Sequence, residues 1–142
     1  MNGQSSTVVT SDSAIQRPQS TGAAPRDGRG AADALRDCAI AQAVVAVAFD
    51  RIGFGQSGLE AARTKARAAA FARQIAMYIA HVGFGLPMGE IGKAFARDRT
   101  TVLHACHLVE DRRDEARFDS LLDQLELAAG ALRAANRITR HG

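Results

Sequence analysis

The stretch MGEIGKAFARDRTTVLHACHLVEDRR, residues 88–113, decides the fold. Ile91, Ala94 and Phe95 recur at the spacing of one helical face, which predicts a short helix over Met88–Ala96. Leu86-Pro87 suits its start, because proline is tolerated where a helix has no use for the missing N–H. After a tight turn, a second helix is expected from Arg99 to Arg113. Val102, Leu103, Cys106 and Val109 form its apolar stripe, and Thr100, His104, His107 and Asp111 fall on the opposite face. Two helices joined so closely make a helix-turn-helix. Asp98 stands where its carboxylate caps the free N–H groups of the second helix.

Working outward, residues 59–82 read as an Ala-rich helical region with Phe71, Ile75, Tyr78, Ile79 and Val82 as its apolar stripe. Its N-terminal part differs: Arg63, Lys65, Arg67 and Arg73 gather there with little apolar matter. A loop or first turn facing a polyanion is expected for that portion. His81-Val82-Gly83-Phe84-Gly85 breaks the helix. An earlier helix is expected over Ala31–Ile52, with Leu35, Cys38, Val45, Phe49 and Ile52 inward, and Gly53 ends it. Phe118, Leu122, Leu125, Ala129 and Leu132 predict a C-terminal helix over Ala116–Ile138. That stripe either packs on the first helix or forms a dimer seam, so the chain is expected to be a monomer or a weak homodimer. Residues 1–30 are rich in Ser, Thr, Gly and Gln and read as a disordered leader. The division is therefore a leader over 1–30, a helix-turn-helix domain over 31–113, and a C-terminal helix with a short tail over 114–142.

The 142 residues suffice for one core plus tails. Abundant alanine, three prolines and no tryptophan favour an all-α fold, a small helical domain. Two cysteines and no secretory leader point to a reducing, cytoplasmic setting. No apolar run approaches the roughly 18 residues of a membrane span. The net charge is only +3, yet residues 60–107 carry seven Lys or Arg against three acids, a local basic patch suited to phosphate. Gly53-Phe54-Gly55-Gln56-Ser57-Gly58 matches the dinucleotide-binding fingerprint in form. However, no acid lies between Glu60 and Glu90 to hold a ribose, so the glycines read as a helix connector. His104, Cys106 and His107 are close in sequence, but Cys106 falls on the core face and the histidines do not. Neither a metal site nor a catalytic Cys/His pair is expected. No cofactor and no enzymatic activity follow.

Arg73-Gln74-Ile75-Ala76-Met77-Tyr78, Glu90-Ile91-Gly92, Ala94-Phe95 and Arg97-Asp98-Arg99-Thr100-Thr101-Val102-Leu103-His104-Ala105-Cys106 resemble the C-terminal DNA-binding domain of the bacterial replication initiator DnaA. The likeness covers roughly residues 60–113. It implies a helical domain that reads short asymmetric boxes in double-stranded DNA, with the recognition helix in the major groove and a basic loop at the minor groove. Carried over by position, Asp98, Arg99, Thr100, Thr101 and His104 would face bases or nearby backbone, with Arg97 beside them. Lys65 would take the place of the minor-groove arginine, flanked by Arg63 and Arg67. Arg73 and Gln74 would hold phosphate, and Lys93 would add a backbone contact.

Three departures are visible. Arg99 stands where the resembled family has histidine, and its bidentate fork favours guanine. The turn after Phe95 is one residue shorter than the double-glycine form, and Lys65 replaces an arginine. The chain also has no G-x-x-x-x-G-K-[ST] and no room for an ATPase domain, so the resemblance implies a stand-alone reading head. The expected role is a nucleoid-associated regulator that occupies DnaA-box-like sites, competing with or assisting the initiator at replication origins, with transcription as a further output. The other class considered is an adaptor that docks on the initiator without reading DNA.

Overall fold

A computed structural model describes residues 28–52 and 59–141, and the leader up to residue 27 and the glycine connector at 53–58 lie outside the described residues. The helices are α1 (Gly28–Ile52), α2 (Leu59–Tyr78), α3 (Met88–Phe95), α4 (Arg99–Arg112) and α5 (Ala116–His141). A five-residue π turn, Ile79–Gly83, widens the end of α2. No strand occurs among the described residues, so the all-α expectation holds, and no described helix is long and apolar enough to cross a membrane. Gly28–Gly30, assigned above to the leader, begin α1 instead.

The chain from Ala31 onward is one compact unit around a single apolar cluster. At its centre α2 is buried on every side from Ile75 to Tyr78, and the burial continues through Ile79 and Ala80 of the π turn. A helix with no polar face must be surrounded, and here α1, α3, α4 and α5 each supply part of the surround. Cys38, Ala41 and Val45 come from α1, Ile91 and Phe95 from α3, Val102, Ala105, Cys106 and Val109 from α4, and Phe118, Leu122, Leu125 and Ala129 from α5. Phe71 bridges the layers, stacking on Phe118 at 5.5 Å and meeting Phe49 edge-on at 6.2 Å.

Four side chains expected in the core lie at the surface. Val82 is 52% exposed, because the π turn admits an extra residue and rotates everything after Ile79 off the helical stripe. Leu103, 41% exposed, yields its place to Ala105, since α4 lies against α2 and α3 through small residues that let the backbones approach. Leu35 is 57% exposed, and α1 turns inward Ala34, Asp37, Cys38, Ala41 and Val45, a stripe at steps of three and four. Leu132 is 46% exposed, as α5 there meets its neighbours through Arg133. The remaining stripe of α5 is spent within the chain: Phe118, Leu122, Leu125 and Ala129 are buried, so they are not a free dimer seam.

Two polar networks tie α5 to the rest. The Arg113 guanidinium donates to Tyr78 Oη (3.0 Å), Asp119 (2.7 Å), Asp123 (2.6 Å) and Glu126 (3.1 Å), while Tyr78 donates to Glu110 at 2.9 Å. Near the other end, Arg133 donates to buried Asp37 of α1 at 2.9 Å and lies 4.6 Å from the Phe84 ring. Arg140 pairs with Asp33 at 2.8 Å. C-terminal helix and first helix therefore meet through charge, and Asp37 is tolerated in the interior because its partner comes with it.

Candidate nucleic-acid interface

The turn between α3 and α4 follows from two backbone demands. Arg97 N–H donates to Gly92 O (2.8 Å) and Ala96 N–H to Lys93 O (3.3 Å), the paired bonds that close a helix with a left-handed residue at its end. That residue is Ala96, at φ 56°, where glycine is the usual occupant. Gly92 is needed for a different reason. A Cβ there would sit 2.6 Å from the Arg97 carbonyl oxygen, so only a hydrogen lets the turn fold back so closely on α3.

The next residue is Asp98, extended at ψ 167°, whose Oδ1 accepts the Thr101 backbone N–H at 2.8 Å. That bond, with further help from the Thr101 side chain and the Thr100 backbone, holds the Asp98 carboxyl below the ordinary carboxylate range. The expected cap is thus present. It starts α4 at Arg99 and presents Arg99, Thr100, Thr101 and His104 to solvent on the first turns. Val102 anchors the same turns in the core. Arg97 is exposed, and its guanidinium folds back toward the carbonyls of Phe95 and Ala96 at 3.3 Å, so part of its hydrogen-bonding capacity serves the turn. Lys93 is exposed on α3.

The second basic group departs from expectation. Arg63, Lys65 and Arg67 lie on α2, not in a loop, because 59–82 contains no glycine or proline and alanine favours helix at every spare position. A regular helix also divides the cluster. Arg63, Arg67 and Gln74 share one face, whereas Lys65 and Arg73 share another with Ala69 between them. Lys65 and Arg73 line a groove of about 480 Å³ whose opposite wall is α1 and whose floor includes Phe95. The two cations are thereby brought next to the helix-turn-helix, while Arg63 and Arg67 face elsewhere.

Leu103 was missed as a surface residue. It stands beside Thr100 and His104 on the exposed side of α4, and its apolar character gave no signal of that position. The chemistry of the cysteines is decided by burial: Cys38 is pushed up to about 11 and Cys106 is also raised, while His104 and His107 face outward. Cys106 therefore shares no ligand set with its histidine neighbours.

Comparison with known proteins agrees with this geometry. The family described as bacterial DnaA protein helix-turn-helix matches residues 42–109, from the middle of α1 to near the end of α4. A chromosomal replication initiator protein DnaA from Symbiobacterium thermophilum is 40% identical over 65 residues, which is 44% of this chain and 14% of that protein. The chain thus spans only a small part of the relative's length. No solved structure matches. The matched family is a DNA-binding helix-turn-helix and not a catalytic domain. Residues 42–109 are thus similar to the helix-turn-helix domain of bacterial DnaA proteins.

Proposed function

We propose that the chain reads double-stranded DNA at DnaA-box-like sites and regulates the initiation of replication there, by competing with or assisting the initiator. The observation that carries this reading is the first turn of α4, where a capped helix start displays Arg99, Thr100, Thr101 and His104 while Val102 and Cys106 hold the helix down. A helix N-terminus of this kind enters the major groove with its first residues against base edges. Arg99 grips guanine O6 and N7, Thr100 and Thr101 contact thymine methyl or phosphate, and Asp98 accepts from cytosine N4 where its cap leaves a lone pair free. Lys93, Lys65 and Arg73 contribute phosphate contacts, with Arg97 at the turn.

The test is a titration against a duplex bearing a DnaA-type box and a scrambled duplex of equal length at one near-physiological salt concentration. The box is bound more tightly, and Arg99→Ala or Thr100→Ala costs about 1–3 kcal/mol of specific affinity. Lys65→Ala and Arg73→Ala weaken both duplexes alike and flatten the salt dependence. Equal, weak binding to both duplexes would overturn the reading and favour an adaptor that docks on the initiator through protein contacts.

A further inference from the structure

The groove between α1 and α2 has the form of a small-molecule site. Its walls are Gln42, Ala46, Phe49 and Asp50 of α1 against Lys65, Ala69 and Arg73 of α2. Further alanines and Phe95 complete the floor. At about 480 Å³ it lies in the range of ligand pockets, and like them it is mainly apolar with a few polar groups at the margin. Ala46 and Ala69 are exposed, so the groove is open to solvent along these walls. The margin carries complementary charges that are left unpaired within the described chain. Lys65 and Arg73 on one wall and Asp50 on the other have no hydrogen-bond or ion-pair partner among the described residues.

We propose that this groove binds a small aromatic organic anion, its ring against Phe49, Phe95 and the alanines, its acid group on Lys65 and Arg73, and an N–H or O–H donor toward Asp50. Occupancy withdraws both cations from DNA phosphate, so the ligand weakens DNA binding. This coupling rests on the DNA-reading function proposed above, whereas the binding itself does not.

The probe is anilinonaphthalene sulfonate, an aromatic sulfonate with one N–H, titrated into the full chain without DNA. Fluorescence rises to saturation at one site, and uncharged phenylnaphthylamine binds roughly tenfold more weakly. Arg73→Gln weakens the sulfonate by a similar factor, and Ala69→Phe, which fills the floor, abolishes its binding with unchanged circular dichroism. Ala46→Phe fills the groove from the α1 wall and gives the same result if the first variant is unstable. In a second arm the probe raises the apparent Kd of the wild-type chain for the box duplex but not that of Ala69→Phe. Absence of saturable binding, or binding undiminished in both filled variants, would overturn the site. Saturable binding with no effect on a functioning DNA titration would overturn the coupling. Failure of the box titration by itself would overturn the DNA reading, while the probe titration would still decide the groove.

Discussion

Ala96 and Gly92 hold the helix-turn-helix by opposite means, one tolerating a conformation alanine dislikes and the other supplying space that alanine would fill. Ala96→Gly should stabilise the chain by about 0.5–1 kcal/mol, because the left-handed backbone is relieved of its Cβ. Gly92→Ala should destabilise it by about 1–3 kcal/mol, as the Arg97 carbonyl is forced away. Urea unfolding of the two variants measures both signs. Asp98 adds a pH dependence. Its folded carboxyl is held below the ordinary value of 3.8, so its stabilising contribution is complete above that value and is lost as pH falls through the lower folded one. Protection of the Thr101 amide, taken relative to its intrinsic exchange rate at each pH, should therefore fall below the ordinary carboxylate range before the core opens, and Asp98→Asn should remove that step. A loss of protection that is identical in the variant would contradict the assignment.

Among elements, α2 carries the most varied load. Its last turns are core, its π turn sets the approach to α3, and its first half presents the basic residues. The apolar spacing locates the stripe through Ile79 but not the exposure of Val82, and the charge of Arg63, Lys65 and Arg67 suggests a loop or first turn where alanine carries a regular helix. Periodicity also could not foresee the π turn, which depends on the bonds from Phe84 N–H to Ile79 O (2.9 Å) and Leu86 N–H to Ala80 O (3.1 Å). The junction of α2, α4 and α5 rests on Arg113. Arg113→Met should cost about 1–3 kcal/mol in urea unfolding, since the Tyr78 hydroxyl and three carboxylates lose a shared donor. Arg113→Lys should recover only part of the loss, because one ammonium cannot span the fork's partners.

For the whole molecule, the region matched to the DnaA family ends at residue 109, yet α5 and the first half of α1 complete the same core. The two meet through Asp37, which is 4% exposed and bonded to Arg133, with Arg137 at a distant 3.9 Å. Arg133→Met should destabilise the chain by about 3 kcal/mol, because a carboxylate is left in the interior without its close partner. A second change, Asp37→Leu, in the Arg133→Met background should return part of that loss. Thermal or urea unfolding of the single and double variants tests it, and a single variant as stable as the wild type would show that the pair does not hold α5 to α1.

Residue order by itself determined that the chain is helical, where α3 and α4 begin and end within a residue or so, and that Asp98 caps α4. These depend on local rules: alanine's propensity, the 3.6-residue period, and the chemistry of short polar side chains at helix starts. It also supplied, over roughly residues 60–113, a resemblance to the DnaA C-terminal domain, and the family match over 42–109 overlaps that stretch. What only the tertiary structure decided is which apolar residues are inside, since Leu35, Leu103 and Leu132 are exposed while Ala34, Ala105 and Ala129 on the same helices are buried. Close helix packing selects small side chains, and size-weighted periodicity selects large ones. The partners of Asp37 and Arg113 likewise depend on contacts distant in sequence. No spacing along the chain encodes which helix will lie opposite.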